Sequence, residues 1–197
     1  MTDPVERIDP ELARRIRVVV LDVDGVLTDN GVYIGRGSDG HAHELKRFHI
    51  MDGLGIRMLA WAGLHVVLVS GRASPATEIR ARELGVECLQ EGSRKLPVVA
   101  RVLSREGADW AQLAMVADDL ADLPVIRRAG LPVAVANAAP EIRDRALWRT
   151  TRNGGDGAVR EFAEALLQAR GVWDRLVEAY RLSREEGGDV TEHLGAV

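Results

Sequence analysis

The chain has 197 residues, 46% hydrophobic and 28% charged, a mixture able to bury a core and long enough for one domain with appendages rather than two. With 26 Lys+Arg against 30 Asp+Glu the net charge is −4, which offers no basic stripe to a nucleic-acid backbone. Cys88 is the single cysteine, so a disulfide framework and a multi-cysteine metal cluster are excluded.

The opening MTDPVERIDPELARRIR has no apolar signal region, and no stretch reaches about 18 uninterrupted apolar residues, so a soluble, cytoplasmic protein is expected. Residues 16–21 (IRVVVL) form the first of five short apolar runs. The others are 65–70, 86–90, 113–117 and 132–136. Continuous rather than alternating apolarity predicts strands covered on both faces, as in a parallel sheet. After the first run, 31–48 (GVYIGRGSDGHAHELKRF) breaks the pattern and reads as a hairpin around the Gly37-Ser38-Asp39-Gly40 turn. Helices are expected over 52–62, 74–84, 95–106, 120–129 and 140–146. Ser74-Pro75 is a capped start, and Gly63, Gly85, Gly107 and Gly130 are stops. One or two helices should follow Ala158 as far as Glu186, and 187–197 reads as a loose tail. Strands alternating with helices imply an α/β fold, a Rossmann-like parallel sheet sandwiched by helices with a hairpin flap after its first strand. The expected division is an N-terminal extension over 1–15, one domain over 16–170, and a C-terminal helix and tail over 171–197.

The first run ends in Asp22-Val23-Asp24-Gly25-Val26-Leu27-Thr28. Chemistry in open α/β sheets collects beyond the carboxyl ends of strands, and two acids there can share one pocket. Packed carboxylates repel, so either their pKa values rise or a cation sits among them, and an oxygen cage for Mg²⁺ is the natural resolution. The competing reading is a helix-capping acid beside a surface acid. Three further features favour the site. Ser70-Gly71-Arg72 follows the second run with a hydroxyl and backbone N–H groups suited to an anion. Lys95 opens a helix after the third, and Asp118-Asp119, with Asp122, follows the fourth. Each has an ordinary reading as cap, solvated cation or helix-terminal acid; all of them at strand ends in this order are specific.

Two other patterns are weaker. Gly35 to Gly40 fits the dinucleotide glycine spacing, but no helix is expected after it, so these are hairpin glycines. His41 and His43 share a strand face without a third ligand nearby and read as exposed hairpin histidines. Cys88 lies in an apolar run as a small core residue, and the four scattered tryptophans form no stacking ladder.

The motifs DVDGVLTD at 22–29, Ser70, Lys95 and Asp118-Asp119 resemble the haloacid dehalogenase superfamily of aspartate-nucleophile phosphatases. Within it, ELKRF at 44–48, DGLGIRML at 52–59, DDLADLPV at 118–125, VAVANA at 133–138 and GGDGAVRE at 154–161 resemble its capless branch, typified by 3-deoxy-D-manno-octulosonate 8-phosphate (KDO 8-phosphate) phosphatases. The resemblance covers roughly 16–170 and implies a fold without a cap domain. It implies Asp22 as nucleophile and Asp24 as acid and base. It also implies Mg²⁺ on Asp22, the Asp24 carbonyl and Asp118, with Asp119 and Asp122 orienting metal waters and Lys95. Ser70, Gly71 and Lys95 would hold the phosphoryl group, and Arg72 a sugar-acid carboxylate. A homotetramer, in which neighbours' hairpins cover each other's sites, is implied as well. Met51 and Asp156 stand where the family usually carries a cation. A nine-carbon ulosonate 9-phosphate, another small sugar phosphate, and a non-catalytic binding role are the alternatives.

Overall fold

A computed structural model describes residues 7–38 and 40–195; Asp39 of the expected hairpin turn and the ends of the two expected appendages lie outside them. The chain opens with helix α1 (Pro10–Arg15), capped by Asp9, and strand β1 (Val18–Leu21), buried along its whole length. A hairpin of β2 (Tyr33–Arg36) and β3 (Ala42–Leu45) follows, paired antiparallel with Tyr33 opposite Leu45. Then come α2 (Ile50–Trp61), β4 (His65–Val69), α3 (Pro75–Leu84), β5 (Glu87–Leu89), α4 (Lys95–Arg105) and β6 (Leu113–Ala117). The remainder is α5 (Leu123–Ile126), β7 (Leu131–Ala134), α6 (Pro140–Arg143), β8 (Trp148–Arg149), α7 (Ala158–Ala169), α8 (Trp173–Glu185) and α9 (Val190–His193).

Six strands form one parallel sheet in the order β5-β4-β1-β6-β7-β8. The connection after β1 leads to β4 on one side of the sheet, and the connection after its other neighbour, β6, leads to β7 on the opposite side. The carboxyl end of β1 is therefore the switch point where open sheets place ligands. Valines dominate β1 because β-branched side chains pack well on a pleated surface buried on both faces. The α3 start is as expected: the Ser74 hydroxyl accepts from the Thr77 N–H, Pro75 fills the first turn, and left-handed Gly85 ends the helix.

Two expectations need correction, and one strand was not foreseen. The single helix over 120–129 is a 3-10 turn over Leu120–Asp122 followed by the one-turn α5. Pro124 has no N–H to donate and fits only the first turn of a new helix. The tail over 187–197 contains α9: Gly187 and Gly188, at φ of 85° and 82°, reverse the chain. Asp189 and Glu192 then form a capping box that lets Val190 bury to 2% exposure. The two-residue β8 was not anticipated, being too short to show any period.

Helix α7 lies along α2, and their junction is tied by Asp52, whose Oδ1 accepts from the Arg160 N–H at 2.8 Å. Phe162 of α7 is fully buried with its ring centroid 6.1 Å from that of Trp148. Phe162→Ala should cost about 3–5 kcal/mol of unfolding free energy in denaturant titration, because the space between α7 and the sheet edge cannot collapse around alanine. A loss below about 1 kcal/mol would show that this seam is not part of the cooperative core.

Candidate active site

The carboxyl ends of β1 and β6 deliver Asp22 and Asp118 side by side, and the 3-10 turn after β6 brings Asp122 beside them. Oxygen atoms of these three buried carboxylates lie within 4.8 Å of one another. Lys95, the first residue of α4 and only 3% exposed, reaches into the group. Its Nζ lies 2.6 Å from Asp22 Oδ1 and 2.6 Å from Asp122 Oδ1. Asp22 Oδ1 also accepts from the Val23 N–H at 2.6 Å.

One ammonium cannot neutralise three buried carboxylates. Burial first, then the charges of Asp22 and Asp119, push the Asp118 carboxyl up to about 7 against the pull of Lys95. Asp122 is likewise raised by burial and by Asp22. Burial works to lower the Lys95 pKa, but Asp22 and Asp122 outweigh it and keep the ammonium charged. Asp118 Oδ1 and Asp122 Oδ2 are buried without a hydrogen-bond partner. Gly25 is required beside them: at φ 89° it is left-handed, and a Cβ there would collide with the Asp118 carboxylate. A hard divalent cation fits this set, because it takes oxygen donors and would satisfy the orphaned oxygens.

Asp24 faces a second lysine. Lys46, immediately after β3, donates from Nζ to Asp24 Oδ1 at 2.7 Å and to Thr77 Oγ1 at 3.4 Å. The other Asp24 oxygen, Oδ2, lies 3.4 Å from Ser70 Oγ, which also accepts from the Arg72 N–H at 3.1 Å. Glu44 of β3 accepts from Arg72 Nη2 at 2.9 Å and from Ser74 Oγ at 2.5 Å. Arg47 Nη1 donates to the Gly155 carbonyl at 3.0 Å. The hairpin is thus fastened at its base to the loops after β1 and β4 and before α7.

Of the residues expected at the site, Asp22, Lys95, Asp118 and Asp122 form the acidic group, while Asp24, Ser70 and Arg72 line the hairpin side of it. Gly71 lies between Ser70 and Arg72 against the Gly92–Ser93 backbone. The Asp24 side chain points to Lys46 rather than into the carboxylate group. Asp119 is exposed and accepts from the Leu120 N–H at 2.8 Å, capping the turn. Asp156 pairs with Arg47 at 3.2 Å, and Met51 sits half-exposed in the first turn of α2. Lys46 and Glu44 were not anticipated as individual residues. Their signal was the ELK at 44–46, an acid and a base at the foot of the hairpin rather than at its solvated tip. His41 and His43 lie on the exposed hairpin, and among the described residues only the three aspartates form a group able to hold a metal.

Comparison with known proteins agrees with this geometry. Residues 80–162 match the haloacid dehalogenase-like hydrolase family. The chain is 40% identical over 163 residues to 3-deoxy-D-manno-octulosonate 8-phosphate phosphatase KdsC of Escherichia coli (strain K12), covering 82% of this chain and 85% of the relative. A crystal structure of 3-deoxy-D-manno-octulosonate 8-phosphate phosphatase from Moraxella catarrhalis, in complex with a magnesium ion, a phosphate ion and KDO, matches with a TM-score of 0.80 at 32% identity. The match covers 87% of this chain and 97% of that one. The cobalt-bound deoxy-D-mannose-octulosonate 8-phosphate phosphatase of Haemophilus influenzae matches with a TM-score of 0.75 at 34% identity, over 82% and 93% of the two chains. Four strand-end motifs, one acidic group around a buried lysine and this degree of identity place the chain in the haloacid dehalogenase-like hydrolases, within the 3-deoxy-D-manno-octulosonate 8-phosphate phosphatase family.

Proposed function

We propose that the protein is a Mg²⁺-dependent phosphomonoesterase acting on a phosphorylated sugar acid such as KDO 8-phosphate through an aspartyl-phosphate on Asp22. The observation that carries this is the buried group of Asp22, Asp118 and Asp122, with two orphaned oxygens and a single neutralising lysine.

Asp22, held by Lys95 and the Val23 N–H, is oriented to attack phosphorus. Asp24 gives a proton to the departing sugar oxygen and then takes one from the water that opens the acyl phosphate. Ser70, the Gly71 N–H and Lys95 hold the phosphoryl oxygens, where fixed donors lower the barrier most. Asp22, Asp118 and the Asp24 carbonyl would hold Mg²⁺, beside Asp122, with Asp119 more remote. When bound, the ion supplies the positive charge that keeps the carboxylates ionised and offsets charge on the phosphoryl oxygens.

Arg72 would recognise the sugar-acid carboxylate. Its Nη2 is held by Glu44, which fixes the guanidinium at the mouth of the site. The hairpin exposes the cross-strand partners Tyr33 and Leu45 on one face, at 61% and 67%, and Ile34 on the other at 75%, apolar surface that supports a homotetramer with neighbouring copies packed on it. The chain would work in the cytoplasm, where the free thiol of half-buried Cys88 is at home. Another small sugar phosphate is the second reading, favoured by Asp156, which pairs with Arg47 where the resemblance implies a cation.

Phosphate release from a panel of sugar phosphates, with and without Mg²⁺, tests this. Sugar-acid phosphates should lead the panel, and release should need the metal. Arg72→Ala should raise KM for the sugar-acid phosphate roughly 10- to 100-fold, the worth of a charged hydrogen bond, and leave neutral sugar phosphates nearly unchanged. An equal effect on both substrate types would remove Arg72 from carboxylate recognition.

A further inference from the structure

We propose that Lys46 is a positioning residue for the reaction, fixing the Asp24 carboxylate from the return arm of the hairpin. This rests on the reading of Asp24 as acid and base given above.

The Lys46 side chain has 0% exposure, and a buried ammonium persists only where it is well paired. Glu44, two residues before it, would be the local partner, yet its Oε1 lies 3.7 Å away. The short contact, 2.7 Å, goes to Asp24 Oδ1, with Thr77 Oγ1 taking a second at 3.4 Å. Asp24 Oδ2 is thereby turned to Ser70, 3.4 Å away, at the end of the pocket assigned to the phosphoryl group. One oxygen is held and the other presented. As the phosphorus–oxygen bond breaks, its electron pair stays on the sugar oxygen and the proton on Asp24 Oδ2 passes to that oxygen. The charge left on Asp24 is shared with Oδ1, where Lys46 already donates. The base of the hairpin is itself fixed by the Thr28–Phe48 bridge and by Arg47 on the Gly155 carbonyl. The seat of the hairpin therefore sets the orientation of the acid.

Two substrates of different leaving group separate this role from a merely structural one. A sugar oxygen must be protonated as it departs, whereas p-nitrophenolate leaves without a proton. The ratio kcat/KM covers only the steps up to that departure. With the full-length protein and Mg²⁺, Lys46→Met should lower kcat/KM for KDO 8-phosphate by roughly 30-fold, a large part of what a positioned acid contributes, and that for p-nitrophenyl phosphate by less than about threefold. Lys46→Arg should recover part of the loss. In an Asp24→Asn background, Lys46→Met should add less than about twofold, since the residue it acts through is gone. Should Lys46→Met fail to fold, Lys46→Gln, which keeps an uncharged N–H donor one bond shorter in reach, carries the same comparison at smaller amplitude. Equal losses on the two substrates, no loss on either, or a full loss in the Asp24→Asn background would overturn the assignment. Turnover that survives Asp22→Asn, or a wild-type protein inactive on both substrates, would instead overturn the underlying reading of the site.

Discussion

Asp22→Asn should lower kcat by about 10⁴-fold or more, because an amide of the same shape is no nucleophile toward phosphorus. The variant should remain folded. The substitution removes one of three mutually repelling buried charges, and its oxygen can still accept from Lys95 and the Val23 N–H. Substrate binding, measured by titration calorimetry with KDO 8-phosphate, should be retained, since Ser70, Lys95 and Arg72 are untouched. This pairing of lost turnover with kept affinity separates a nucleophile from a residue that only shapes the pocket. It also separates an enzyme from a non-catalytic relative, which would show no turnover to lose. Residual turnover above about one per cent of wild type would mean that another group attacks phosphorus.

Removing divalent cations with a chelator should abolish phosphate release, and Mg²⁺ should restore it. Asp118→Asn should mimic the chelator at ordinary Mg²⁺ concentrations. The same cation should stabilise the fold, by about 2.7 kcal/mol at one hundred times its Kd. The pH dependence has a definite sign. Asp118 titrates near 7 in the folded protein instead of near 3.8, so the folded state holds a proton that the unfolded state has lost. Without metal, this group therefore withdraws stability as pH rises from about 4 to above 7. A cation competes with that proton for the same oxygens, so the Mg²⁺-induced rise in Tm should grow between pH 5 and pH 8. A rise independent of pH, or one unchanged in Asp118→Asn, would place the ion elsewhere.

The sheet was legible because its strands are buried on both faces. Val18–Leu21 and Leu113–Ala117 are unbroken apolar runs, and the acids that end them stand out against that background. The order of the strand-end motifs points to Asp22, Ser70, Lys95 and Asp118, and the fold brings Asp22, Lys95 and Asp118 together with Ser70 beside Asp24. Partnerships across the fold were not legible. Lys95 meets Asp122 over a separation of 27 residues, and Lys46 meets Asp24 over 22. No local periodicity encodes which acid a lysine will reach when the two come from different elements. Lys46 in particular reads as a solvated flap charge until the hairpin base is seen folded against Thr28 and Gly155. The break at Pro124 and the capping box at Asp189 were readable but were masked by helix-forming and polar neighbours. The two-residue β8 owes its place to β7 alongside it rather than to its own sequence.

Borohydride trapping during turnover most directly tests whether Asp22, set among Asp118, Asp122 and Lys95, becomes phosphorylated. An aspartyl-phosphate is an acyl phosphate, which borohydride reduces to homoserine while an unmodified carboxylate survives. Quenching the Mg²⁺-loaded protein during hydrolysis and mapping its peptides by mass spectrometry should show homoserine at position 22, dependent on substrate and on metal. Steady turnover with no modified residue, or with the modification at Asp24 or Asp118 instead, would contradict it.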